Sequence, residues 1–165
     1  MAYINTAAGG EAVLQLFNIS GTDDIFDVVP ANVVTVPFMQ DITVNNSTGT
    51  FRFKTLASGS ESVVTTPATN QLSLNAIVDE LVFFGNVDNS TEGALVTNGV
   101  LGTSKNKTKV GFRAYFDGTD TGSRYMQGVG FISGLAPTVN PDSPLWITPV
   151  SVEVDGDFTS TVVPV

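Results

Sequence analysis

The sequence contains no cysteine and no histidine. The first absence excludes a disulfide framework, a thiolate nucleophile and a cysteine-based zinc site. The second removes the side chain most used as a general base near neutral pH. Basic residues are scarce as well: 7 Lys and Arg stand against 16 Asp and Glu, a net charge of -9 over 165 residues. So acidic a surface repels nucleic-acid phosphate and anionic lipid, which argues against a role in gripping either. No Lys or Arg precedes Arg52, whereas Glu11, Asp23, Asp24, Asp27 and Asp41 all do, so one face or end is expected to be strongly acidic. The strongest apolar run, near residues 81–84, is far too short to span a bilayer. The first residues lack the basic and apolar stretches of a signal peptide, and a soluble intracellular product is expected.

What is present points to strands. Val, Thr, Phe and Ile are common, while Lys, Glu and Gln, the strong exposed helix formers, are few. Residues 12–18 read as a first strand. Residues 25–29 and 33–38, punctuated by Pro30 and Pro37, read as edge strands or an extended arm. Residues 50–55 alternate cleanly, with Phe51 and Phe53 on one side and Arg52 and Lys54 on the other. A short strand over 62–66 is expected to break at Thr66-Pro67-Ala68. Residues 71–84 satisfy two periods: Leu72, Leu74, Ala76 and Val78 share a strand face, and Leu74, Ile77, Val78 and Leu81 form a helical stripe. We read a strand to about Val78 and then a short helix to Phe84, with Asp79 as its N-cap and Gly85 as its stop.

The polar stretch 86–107 carries Gly93, Gly99 and Gly102 and reads as a long loop. A loop of that length is usually functional or conceals strands. The two best strands follow, over 109–116 and 124–132, joined by a turn at Asp117-Gly118-Thr119-Asp120-Thr121-Gly122. Val110, Phe112, Ala114 and Phe116 share one face of the first. Residues 135–143 form a Pro-rich loop, and 145–154 a last strand with Val150, Val152 and Val154 inward. Asp155-Gly156-Asp157 then turns the chain into a short apolar tail.

Motifs of catalysis or ligation are weak. Asp23, Asp24 and Asp27 could form an acidic site, but turn-rich sequence attracts Asp for its own reasons. Asp117–Asp120 and Glu153–Asp157 space oxygens closely, yet neither follows the EF-hand order. Gly128-Val129-Gly130 with Gly134 is half of a dinucleotide fingerprint lying in a strand with no helix after it. Glycine there permits a large side chain or another backbone to pack closely. The basic cluster Lys105, Lys107, Lys109 and Arg113 suits charge pairing with the acidic N-terminal region of another copy. Phe occurs 11 times, and most copies must be core or interface.

The C-terminal third resembles the major tail (tail tube) proteins of long-tailed bacteriophages. The resemblance rests on Arg124-Tyr125-Met126-Gln127-Gly128-Val129-Gly130-Phe131-Ile132-Ser133. It continues through Asp142-Ser143-Pro144 to Val150-Ser151-Val152-Glu153-Val154-Asp155-Gly156-Asp157. Gly130 stands where that pattern has an alanine. The resemblance implies two packed antiparallel sheets, barrel-like, with one short helix, a long loop and terminal arms. It implies rings of six copies stacked into a tube through which DNA is ejected, with no catalytic residue, no metal and no cofactor. The implied partners are further copies of the chain and other tail proteins. DNA passes without specific binding and no membrane is involved. The protein would be made in the bacterial host cytoplasm and reside in the virion.

On this reading the chain is one domain over 1–165, with an N-terminal arm over about 1–11 and a C-terminal arm over about 156–165. The expected assembly residues are Tyr3, Ile4, Asn86, Thr97, Leu101, Lys105, Lys107 and Lys109. The expected acidic surface is Asp23, Asp24, Asp27 and Asp41. Two other classes are open: another β-rich virion part such as a capsid decoration protein, and a carbohydrate-binding module. The latter needs exposed aromatics on a concave face, and Tyr3, Tyr115, Tyr125 and Trp146 are dispersed in sequence.

Overall fold

Alternating apolar residues become strands with one buried face. In the computed structural model, which describes residues 12–19, 32–37, 39–54, 60–86, 94–140 and 143–163, nine such strands pair antiparallel. They are β1 (Val13–Asn18), β2 (Val33–Val36), β3 (Met39–Phe53), β4 (Ser62–Ile77), β5 (Lys109–Tyr115), β6 (Arg124–Leu135), β7 (Thr138–Asn140), β8 (Ser143–Val154) and β9 (Thr159–Val162). Their order is β2-β1-β5-β6-β8-β4-β3, with β7 on β8 and β9 on β6. The mainly β class holds, and the antiparallel pairing is unbroken through all nine strands. β6 and β8 run 12 residues each and bond along both edges, which joins the two halves.

The buried face is the one the alternation marks. Leu14 and Leu16 of β1, Leu72 and Leu74 of β4, Val110 and Phe112 of β5, and Val150 and Val152 of β8 form the core. Each side chain of that size removed from water contributes about 1.5–3 kcal/mol. The hairpin β5–β6 pairs Lys109 with Phe131 through to Tyr115 with Tyr125, around the expected turn. Its glycines do what the strand pattern required. A Cβ on Gly128 would lie 2.8 Å from the Phe112 ring, and one on Gly130 would run into the carbonyl oxygen of Glu153.

Among the described residues two helices cover the core, where one was expected. The first, α1 (Glu80–Phe84), is capped as the sequence indicates: the Asp79 carboxylate accepts from the backbone N–H of Leu81 and Val82, both at 3.1 Å, and Gly85 ends it. The second, α2 (Ala94–Lys105), lies within the stretch expected to be a loop. Two features hide its signal. Asn18 of β1 caps it from 77 positions away, its Oδ1 accepting from the Leu95 N–H at 3.0 Å, so that cap is not local. Gly99, at φ 64 and ψ -175, then breaks the helical dihedrals in mid-run. Gly99 and Gly85 meet backbone to backbone there, an approach that any side chain on either would block. Leu95 and Val100 are buried against the sheet, and the Ser104 hydroxyl donates to the Ile132 carbonyl at 3.0 Å.

The hairpin β3–β4 departs most from expectation. β4 does not stop at Pro67 but runs through it. Thr48 pairs with Ala68 and Thr50 with Thr65, so Thr66 and Pro67 lie opposite Gly49 alone. In that bulge proline's missing N–H costs no ladder bond. β4 meets β8 only from Gln71 onward, so residues 47–53 and 62–69 form a ribbon paired with itself. The expected Pro-rich loop contains β7, and the expected C-terminal arm contains β9, which lies along residues 124–127 of β6.

Candidate assembly surfaces

The residues singled out from the polar stretch come together beside the two helices. The Asn86 N–H donates to the Val96 carbonyl at 3.0 Å, which closes the link between α1 and α2. Thr97 lies in α2, half-buried, while Leu101 and Lys105 are exposed on α2, one turn apart. Lys107 is exposed in the turn that follows, at φ 53. Lys109 differs from these. Its ammonium sits 2.8 Å from the Asp155 carboxylate of the same chain, so its charge is already engaged. Tyr3, Ile4, Asp23, Asp24 and Asp27 lie outside the described residues.

Asp41 is on β3, on the sheet face opposite the core. Its carboxylate accepts from the Asn75 backbone N–H at 3.0 Å and from the Asn75 amide at 2.8 Å. On the same face Glu153 accepts from the Gln71 amide at 2.7 Å. Asp41 and Glu153 thus each take a neutral side-chain amide as partner. At the sheet's margin, Asn70 is fully buried and donates to the Gly156 carbonyl at 2.8 Å and the Asp157 carboxylate at 3.0 Å, pinning the last turn to β4.

Two apolar surfaces were not anticipated. The first is the self-paired ribbon, where Phe51 is 59% exposed and stacks on Phe53 with ring centroids 6.2 Å apart. The Phe-Arg-Phe-Lys alternation placed the two Phe on one side of the strand, and that side is exposed. The second lies where α1 meets β7 and β8. Trp146 is 45% exposed, sits edge-on to Phe84 at 6.3 Å, and pairs across strands with the exposed Val139. Next to it is a cavity of about 370 Å³ lined by Ile77, Val78, Glu80, Phe84, Leu145 and Trp146. Sequence spacing offered no route to this patch, since its members come from three separate elements. The sheet also has edge strands, β2 and β3, at the ends of its order.

No protein-family model matches the sequence, and no curated protein sequence matches it. Solved structures do. The chain superposes on the SPP1 tail tube protein with a TM-score of 0.64 at 9% identity, over 95% of this chain and 80% of that one. The fold is that of the phage tail tube proteins. A chain of the native gene transfer agent virion matches with a TM-score of 0.59 at 9% identity, over 95% of this chain and all of that one. A chain from the tail of the empty gene transfer agent particle, which has C6 symmetry, matches at 0.56 and 10% identity, over 91% and 96% of the two chains. The shared fold extends well beyond the C-terminal third on which the sequence resemblance rested.

Proposed function

We propose that this chain is a tail tube subunit, a structural and non-enzymatic protein of a phage-like virion. Copies of it close into six-membered rings, and the rings stack into a hollow tube that conducts DNA during ejection. The observation that carries this is the likeness of fold to the SPP1 tail tube protein over 95% of the chain. Three further features support it. Among the described residues β2 and β3 end the strand order, and such edges suit lateral pairing between copies. Exposed apolar surface on a small β protein suits burial by assembly. A net charge of -9 suits a conduit along which phosphate slides without sticking.

The contacts proposed for the tube are the outer face of α2, with Leu101, Lys105 and Lys107, together with both terminal segments. Further copies and other tail proteins are the partners, and the completed virion is the site of residence. Sedimentation velocity on the purified chain tests the ring. The expected result is a species at six times the 17.3 kDa chain mass, or larger multiples of it. A monomer or trimer at all concentrations would oppose the proposal and favour a capsid decoration role.

A further inference from the structure

The cavity beside Trp146 is walled by three parts of one subunit. Ile77 and Val78 come from the end of β4, Glu80 and Phe84 from α1, and Leu145 and Trp146 from β8. The Val78 N–H donates to the Trp146 carbonyl at 2.8 Å, which fixes the strand end against β8. The Phe84 and Trp146 rings stand at 73°, with centroids 6.3 Å apart, and so form two sides of a corner. The volume of about 370 Å³ falls within the ~300–1,000 Å³ of small-molecule sites. Among the described residues that line the cavity, Glu80 alone is charged. Its carboxylate has no hydrogen-bond or ion-pair partner among the described residues.

We infer that this cavity binds a small quaternary ammonium compound, with its head group in the corner between Trp146 and Phe84 and its charge balanced by Glu80. The chemistry of the lining selects that ligand step by step. An unpaired carboxylate, in a chain of net charge -9, selects a cation over an anion. Calcium takes roughly six to eight oxygen ligands, and the lining side chains offer one carboxylate, so the cation is organic. A primary ammonium brings three N–H donors that Ile77, Val78 and Leu145 cannot satisfy. A quaternary ammonium brings none and buries its methyl groups against those same side chains. Aromatic faces attract such a cation, and the indole of tryptophan attracts it most strongly. The site needs no second copy of the chain.

Trp146 is the only tryptophan of the chain, so its fluorescence reports on the cavity directly. Choline is titrated into the purified chain, and so is its uncharged isostere, the alcohol with carbon in place of nitrogen. The expected result is a saturable change with choline and an affinity for the alcohol lower by about tenfold. Glu80 is exposed, and glutamine is as good a helix former, so Glu80→Gln should keep the circular dichroism of the parent. It should weaken choline binding by about fivefold. Trp146→Leu keeps an apolar side chain and removes the ring; followed by line broadening of the choline methyl protons, it should lose binding. Equal affinity for choline and the alcohol, or undiminished affinity in Glu80→Gln, would overturn the cation site. No saturable change with either compound would overturn the site altogether. Cosedimentation of the chain with phosphatidylcholine vesicles would make the head group that of a lipid and overturn a free solute as the ligand.

Discussion

At Gly130 the difference between a hydrogen and a methyl group decides whether β6 can lie against β8. The Glu153 carbonyl oxygen occupies the space that a Cβ would need, and Val152 Cγ1 is 3.0 Å from that point. Gly130→Ala should therefore lower stability by about 1–3 kcal/mol, read from the denaturant midpoint. Gly134, on the same strand, faces only Ser151 at ordinary contact distance, 3.4 Å. Gly134→Ala should leave the midpoint unchanged or raise it by up to about 1 kcal/mol. Equal losses at both positions would show that strand glycine as such, not the close approach, sets the cost. Close packing at Gly128 and Gly130 was legible in sequence, because glycines at alternate positions of an apolar strand leave one face bare for a neighbour to fill. The role of Asn18 was not legible, because its partner is 77 positions away. Asn18→Ala should cost about 1 kcal/mol and loosen α2, measured as faster amide exchange over residues 95–105.

Among the elements, those with a local cause could be read from the sequence. Strands β5, β6 and β8 follow from alternation, and α1 from Asp79 and Gly85 at its two ends. α2 could not, since a cap supplied by β1 and a kink at Gly99 hide its period. The passage of β4 through Pro67 could not either, because it depends on Gly49 standing opposite the bulge. The same hairpin gives an element-scale prediction. Among the described residues, 50–53 pair only with 62–65, so replacing the segment 49–67 with an Asn-Gly turn between Thr48 and Ala68 should leave the core intact. Thermal unfolding should stay cooperative with a midpoint within a few degrees of the parent, while pelletable assembly disappears. Loss of cooperative unfolding would mean that the ribbon contributes to the fold of the single subunit.

For the whole molecule, charge acts on the proposed association. Each copy carries -9, so bringing copies together is opposed by repulsion that salt screens. Lys105→Glu with Lys107→Glu subtracts two charges at each position and takes the chain from -9 to -13. Assembly of this variant should weaken at about 10 mM salt and recover at about 0.5 M, as the Debye length shortens. Unchanged assembly at low salt would remove both lysines from the contact surface. The acidic balance was plain in the sequence, as was the shortage of catalytic side chains. Which surfaces lie bare was not, because exposure depends on whether a second layer covers a strand, and no strand encodes its own cover.

The most direct test of a tail tube subunit is negative-stain electron microscopy of the purified chain at physiological salt. The account predicts hollow tubes of uniform diameter, or short stacks of rings with a central hole. Discrete solid particles that never stack, at any protein concentration, would contradict it.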